Sequence, residues 1–339
     1  MKFDSDVIKS ATVTPHWQDL VKDYQVPDNW RSVWQIANSF VLYVATWYLM
    51  YRSLSVSYWL TLLLSPLGAG LMTRIFIILH DCGHGSFFKS SKVNHAVGTV
   101  CGVLTHTPYH QWTREHAIHH ASSGDLSRRG VGDVTTLTVK EYLALSKWGR
   151  LKYRLYRNPF VMLGVGPHFI FLLKHRFASK HSGRRERNNL YITNLGMLAL
   201  YGPLWSLIGL KALLMILAPI IIIAGAVGVW LFYVQHQYEE TYWRDRGEWD
   251  YATSALLGSS YFKLPRVLQW FSGNIGFHHI HHLSPKIPNY KLQRCHEENP
   301  LFQESTVLGI RESLKTASMK LWDEDRQRLI GFNQINRER

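Results

Sequence analysis

Residues 278–288 read His278-His279-Ile280-His281-His282-Leu283-Ser284-Pro285-Lys286-Ile287-Pro288. As H-x-x-H-H this puts His278, His281 and His282 at i, i+3 and i+4, where a helix presents them on one face and their imidazoles converge. The spacing recurs at His116, His119 and His120, and His80 and His84 form an i, i+4 pair in His80-Asp81-Cys82-Gly83-His84. Three such clusters imply a metal centre. Eight neutral imidazoles exceed the coordination of one ion, so they imply two.

Working outward, the surroundings of these boxes are apolar. The chain has 339 residues, 46% of them hydrophobic, and its apolar residues gather in runs long enough to cross a bilayer. That favours one membrane-embedded unit over two soluble domains. The net charge of +14 suits loops beside anionic lipid, with no nucleic-acid partner. Cys82, Cys101 and Cys295 are odd in number and far apart, which offers no disulfide framework.

Residues 1–13 read as poorly ordered, and Thr14-Pro15 as a helix start. Trp17, Leu20, Val21 and Tyr24 then mark a short amphipathic helix, either on the membrane surface or packed on the protein's own cap. Four spans follow, at about 33–51, 56–79, 191–210 and 212–234, paired as two hairpins. Val93–Val103 and Phe160–Leu173 are apolar but too short to cross, and read as interfacial or re-entrant pieces. Thr138-Val139-Lys140-Glu141 is a capping box opening a helix to about Asn158. Another amphipathic helix is expected at about 306–322.

Basic residues flank the spans on one side, including Arg184, Arg185 and Arg187. The positive-inside rule makes that side cytoplasmic, with both termini and every histidine box on it. The first apolar run lacks the features of a cleaved signal peptide. The expected fold is therefore an all-α integral membrane protein of four transmembrane helices in two hairpins. A cytosolic helical cap, residues 80–190 and 235–339, carries the boxes, and the whole of 1–339 is one domain.

Imidazole suits iron, copper, zinc and nickel, and spacing does not choose among them. Structural zinc would use fewer histidines and usually cysteines, and the Glu-x-x-His pattern of carboxylate-rich bundles is absent. A nitrogen-rich pair of ions beside greasy helices suits oxygen activation directed at an unactivated C–H bond. His236, directly after the fourth span, is a candidate ninth ligand, whereas His279, about 100° around the helix from His278, should miss the metal. Asp81 and Asn274 are candidate hydrogen-bond partners for ligand N–H groups. His16, His95, His106, His110, His168, His175, His181 and His296 read as non-ligands.

The stretches HDCGH (80–84), HAIHH (116–120), QHQYEETYW (235–243) and GNIGFHHIHHLSPKIPNY (273–290) resemble those of the membrane fatty acid desaturases, over roughly residues 33–300. The first box has three residues between its histidines, unlike the stearoyl acyl-CoA branch, and the third begins with His278 where front-end desaturases carry Gln. What remains is similar to the acyl-lipid group, nearest to bacterial desaturases of the delta-12 or delta-5 kind. The resemblance implies two iron ions held by His80, His84, His116, His119, His120, His278, His281 and His282, with His236. It implies dioxygen and a fatty acyl lipid as substrates, a cis double bond as product, and a bacterial cell membrane as location. Where the stearoyl branch has an Asn one turn before the lone histidine, this chain has Phe232, leaving a tenth coordination position unassigned. No His-Pro-Gly-Gly haem motif is present, so electrons should come from a separate ferredoxin, flavodoxin-like protein or cytochrome. The basic cytosolic face would suit an acidic carrier.

The same boxes would serve a hydroxylase or ketolase acting on a carotenoid or alkane, whose product gains oxygen instead of losing hydrogen. A histidine-rich metal transporter or sensor would instead place polar groups or broken helices at mid-bilayer. Here the boxes sit at helix ends and beyond.

Overall fold

Asp28 and Ser57 set the starts of the first long helices. The Asp28 carboxylate accepts from the backbone N–H of Trp30 and Arg31, and the Ser57 hydroxyl from that of Trp59. These are N-caps that satisfy donors the helix leaves unpaired. The computed structural model describes residues 17–180 and 182–335. After a first turn, α1 (Trp17–Val21), come α2 (Asn29–Ser53) and α3 (Tyr58–His84). A second hairpin pairs α8 (Arg184–Ile208) with α9 (Leu210–His236), joined by Gly209 alone at φ +81°. Glycine takes that dihedral without steric penalty, which is why two helices can meet with no loop.

Between the hairpins lie α4 (Ser91–Leu104), α5 (Tyr109–Ser122), α6 (Val139–Ala144) and α7 (Lys147–Tyr156). After α9 come α10 (Tyr251–Leu257), α11 (Arg266–Phe271), α12 (His278–Leu283), α13 (Asn289–Glu298), α14 (Pro300–Gln303) and α15 (Ile310–Thr316).

Among the described residues, α3 and α9 are long and apolar enough to cross a membrane. The other two long helices are less apolar but inverted relative to a soluble protein. In α2 the buried stripe is Ser32, Gln35, Ser39, Tyr43, Thr46, Met50 and Ser53. Its exposed positions include Val33, Trp34, Val41 and Val44. In α8, Asn189 and Thr193 are buried while Tyr191, Ile192, Leu195 and Leu198 face outward. Helices in lipid pack through small and polar residues and turn their large apolar ones out.

Expected boundaries shift where an apolar run ends without breaking its helix. The runs at 33–51 and 212–234 sit inside longer helices, the run at 56–79 enters its helix at Tyr58, and the run at 191–210 is cut at Gly209; two of the helices continue beyond their apolar runs to end on His84 and His236. The helix expected from Thr138 to Asn158 is two, because Leu145 is extended and the Ser146 hydroxyl caps a new start at the Gly149 N–H. The Thr138–Glu141 capping box itself is present. The Phe160–Leu173 piece is wound in two π-helical stretches, Val161–Val165 and Phe169–Leu173, the first of them packed against α9.

The chain is mostly helical, as expected, with two small sheets added at the cap. Strand β1 (Leu137–Thr138) pairs parallel with β4 (Leu321–Asp323), which pairs antiparallel with β5 (Arg328–Ile330). Strand β2 (Tyr261–Phe262) pairs parallel with β3 (Val307–Leu308). The helix expected at 306–322 therefore shrinks to α15, since β3 and β4 find partners far away in sequence that local periodicity does not reveal. In α1, Val21 is fully buried with Ile280, Leu283 and Phe302, so this helix packs on the cap. The Thr14-Pro15 start lies outside the described residues.

Helix α3 is the central element, packed by α2, α4, α9 and α11. The approach of α5 depends on Gly98 of α4, where a Cβ would lie 2.3–2.8 Å from the Tyr109 ring. The Tyr109 hydroxyl donates to the Cys82 carbonyl at 2.7 Å, fixing the second box against the first.

Candidate metal centre

Four helices deliver the imidazoles: α3 ends with His80 and His84, α5 carries His116, His119 and His120, α9 ends on His236, and α12 carries His278, His281 and His282. All nine meet. They divide into His80, His84, His116, His120 and His281, and a second group of His119, His236, His278 and His282. Within each group one ring nitrogen per residue lies within 4.8 Å of the others. Each H-x-x-H-H box straddles the two groups, with its i, i+4 pair in one and its middle histidine in the other. The groups touch where His120 stacks on His282, with ring centroids 4.1 Å apart.

These donors fit metal ions. His236 Nε2 lies 2.9 Å from His278 Nε2 and 3.2 Å from His119 Nε2, and His120 Nε2 lies 3.0 Å from His281 Nε2 and 3.1 Å from His116 Nε2. Two imidazole nitrogens bound at right angles about 2.1 Å from one ion would be about 3.0 Å apart. The buried Nε2 atoms of His80, His84 and His282 have no hydrogen-bond partner among the described residues, a condition a metal bond would relieve. Burial, and then the neighbouring imidazoles, hold His116, His120, His278, His281 and His282 well below the ordinary histidine pKa. They are neutral donors, the form a metal requires.

Partners on the far ring nitrogen aim three of the rings. His80 Nδ1 donates to Asp81 Oδ1 at 3.0 Å, as expected for Asp81, whose Oδ2 also accepts from the Asn289 backbone N–H and Nδ2 at 2.7 and 2.8 Å. His236 Nδ1 faces the Gly258 carbonyl at 3.2 Å, and His119 Nδ1 bonds the Asp133 carboxylate. Such partners select the tautomer that leaves Nε2 free. Asn274 does not do this; it bonds Gln269 and the Asn289 carbonyl and shapes the turn before α12. Asp133 was not legible from the boxes. Its one local signal is the preceding Gly132, at φ +73°, where a Cβ would stand 2.9 Å from the Glu115 carbonyl and 3.0 Å from His119 Cβ.

His279 is fully buried but points away, its ring 5.4 Å from that of His296. His95, His106, His110, His168, His175 and His296 also lie outside both groups, and His16 and His181 fall outside the described residues. Phe232 rests 5.0 Å from the His119 ring and 5.3 Å from that of His236 and offers no donor.

The pattern of fatty acid desaturases matches residues 56–312. The chain is 47% identical over 315 residues to the "Fatty acid desaturase" of Bacillus subtilis (strain 168), covering 93% of this chain and 90% of that protein. The chain belongs to the fatty acid desaturase family. It is also 30% identical over 241 residues to the "sn-1 oleoyl-lipid 12-desaturase" of Synechocystis sp. (strain ATCC 27184 / PCC 6803 / Kazusa), covering 66% of this chain and 64% of that one. Against the "Omega-6 fatty acid desaturase, endoplasmic reticulum isozyme 1" of Glycine max it is 26% identical over 298 residues, 76% of this chain and 70% of that one. This desaturase is thus an oxidoreductase that introduces double bonds into fatty acyl chains, and it carries histidine clusters suited to metal. Beside the second cluster Ser123, Asp133, Val134, Phe232, His236, Gln237 and Trp243 line a cavity of about 10 Å³, roughly the room one water needs.

Proposed function

We propose that this desaturase acts on an acyl chain carried by a membrane lipid and inserts a cis double bond at a pair of iron ions. His80, His84, His116, His120 and His281 would hold one ion, and His119, His236, His278 and His282 the other. The observation that carries this reading is the division of nine buried imidazoles into groups of five and four. Bound there, the ions would supply the redox chemistry by which dioxygen removes hydrogen from an unactivated C–H bond.

The protein's own contribution is orientation and exclusion of water. Asp81, Asp133 and the Gly258 carbonyl hold the protons of His80, His119 and His236 on Nδ1. Trp112 stacks on His116 at 4.4 Å, Phe76 meets the Trp112 ring edge-on at 5.2 Å, and Phe171 meets Phe76 at 6.4 Å. This apolar wall beside the first group supports a hydrocarbon substrate.

The membrane arrangement we infer is multi-pass: α2, α3, α8 and α9 cross the bilayer of a bacterial cell, with both termini and the metal centre cytoplasmic. The outward apolar and inward polar faces of α2 and α8 support it. The chain 1–339 works as one domain, a reading supported by bonds from the segment after the third box to the N-cap of α2 and to α3: the Tyr290 hydroxyl accepts from the Asp28 N–H at 2.8 Å, and the Asn289 N–H donates to Asp81 Oδ2 at 2.7 Å. Electrons arrive from a separate acidic carrier of the ferredoxin, flavodoxin or cytochrome type.

The test is expression in a host whose lipids lack unsaturated chains, followed by mass spectrometry of intact lipids and location of the new bond. The expected product is a lipid-linked chain two hydrogens short. A product that gains oxygen, or desaturation only of a free or thioester-bound chain, overturns the proposal.

A further inference from the structure

Arg157, the residue after α7, is fully buried, and among the described residues no carboxylate pairs with it. A buried charge without a counter-charge is costly and survives only when its hydrogen bonds are well used. Here Nε has no partner among the described residues, and the two terminal nitrogens are spent on three segments. Nη1 donates to the Thr135 carbonyl and the Thr136 hydroxyl, each at 3.3 Å. Nη2 donates to Gln237 Oε1 at 2.8 Å, the Met319 carbonyl at 2.9 Å and the Tyr233 hydroxyl at 3.4 Å. Thr136 Oγ1 also donates to Gln237 Oε1, at 3.1 Å, closing the link.

Two of these segments each carry one part of the four-histidine group; the third, at Met319, carries none. Thr135 and Thr136 follow Asp133, which orients His119, while Tyr233 and Gln237 bracket His236. The second oxygen of Asp133 has no partner among the described residues, and Asp133 lines the same small cavity as Gln237 and His236. The ammonium of Lys320 donates to the Arg157 carbonyl at 2.5 Å, adding a second buried cation. By contrast, no bond from Arg157 reaches α3, α5 or α12.

We infer that Arg157 is a positioning residue for the four-histidine group, tying the Asp133 loop to the end of α9 so that His119 and His236 face one ion. The inference rests on the metal centre proposed above. It predicts an effect confined to one of the two ions, which a general loss of packing would not produce.

The experiment is anaerobic iron(II) titration of the full chain in detergent, for wild type, Arg157→Met, Arg157→Lys and Arg154→Met. Arg154 lies on α7 and bonds the Tyr142 hydroxyl, away from the centre. Wild type and Arg154→Met should bind two ions. Arg157→Met should keep one and bind the other 10–100-fold more weakly, the range typical of lost ligand support. Arg157→Lys keeps the charge but has one ammonium where the guanidinium reaches both the Asp133 loop and the end of α9, and should show the same selective loss if Arg157→Met does not fold. Adding Asp133→Asn to the Arg157 variant should weaken that ion by less than the two single effects combined, because both act on His119. Two ions bound with unchanged affinity by a folded Arg157 variant would overturn the inference, as would equal weakening of both. If wild type itself fails to bind two ions, it is the reading of the metal centre that falls.

Discussion

Replacing Asp81 with Asn tests how firmly the first histidine box depends on its neighbour. The carboxylate is 2% exposed and accepts three bonds, one from His80 Nδ1 and two from Asn289. An amide keeps one oxygen acceptor and presents an NH2 where the other oxygen was. If its oxygen serves Asn289, its NH2 confronts the His80 Nδ1 proton. His80 must then lose the bond or move its proton to Nε2, the atom facing the metal group. One bond to a charged group is worth about 1.5–3 kcal/mol, and the remaining two weaken with the loss of charge, for about 3 kcal/mol in all. At about 2 °C per kcal/mol for a chain of this size, the melting temperature should fall by about 6 °C. Affinity for the ion at the five-histidine group should fall about 10–100-fold, while that of the four-histidine group holds. Thermal unfolding of metal-free protein and stepwise iron titration measure the two effects separately. A variant within about 1 °C of wild type with both affinities intact would refute the reasoning. Asp81→Ala should do worse, since it leaves three buried donors unmatched.

Four other outcomes are expected. Gly98→Ala forces a methyl into the Tyr109 ring and should lower stability by about 1–3 kcal/mol or more. Gly228→Ala, whose added methyl meets no neighbouring element within 4 Å, should be neutral or stabilising in the same melting assay. His236→Gln should remove one ion per chain and abolish product, whereas His279→Gln should retain both ions; loss of an ion on changing His279 would reverse its assignment. Burial, and then the Arg157 charge, push the Lys320 pKa down to about 8 from 10.5. The unfolded chain therefore binds more protons between those values, and stability should rise with pH there, by about 1 kcal/mol at pH 9. A melting profile that stays flat from pH 7 to 9, or one whose rise survives Lys320→Met, would show that Lys320 is not the titrating group.

Much of the fold was legible because its signals are local. The helix start at Thr138 follows from the hydrogen-bonding habits of single residues, whereas the one-residue joint at Gly209 fell inside an apolar run read as one span. The long apolar runs announce helices whatever surrounds them. The boxes were legible for the same reason: i, i+3, i+4 spacing acts within one turn, and the Met-free repetition of histidine has few competing explanations. Asn274 was misassigned because proximity to a box in sequence says little about which way a side chain turns, and its left-handed backbone, φ +58°, takes it away from the rings.

By itself, then, the sequence determined which residues are metal-ligand candidates, which helices are long and apolar, and the desaturase family to which the chain belongs. Only the tertiary structure decided that nine imidazoles divide five and four, that His236 joins His278, and that Asp133 and Arg157 stand behind the second group. The physical reason is distance along the chain. His236 meets His119 across 117 residues, His281 meets His120 across 161, and Asp81 meets Asn289 across 208. Periodicity reports which face a residue occupies on its own helix, whereas partners this remote are chosen only when the helices pack.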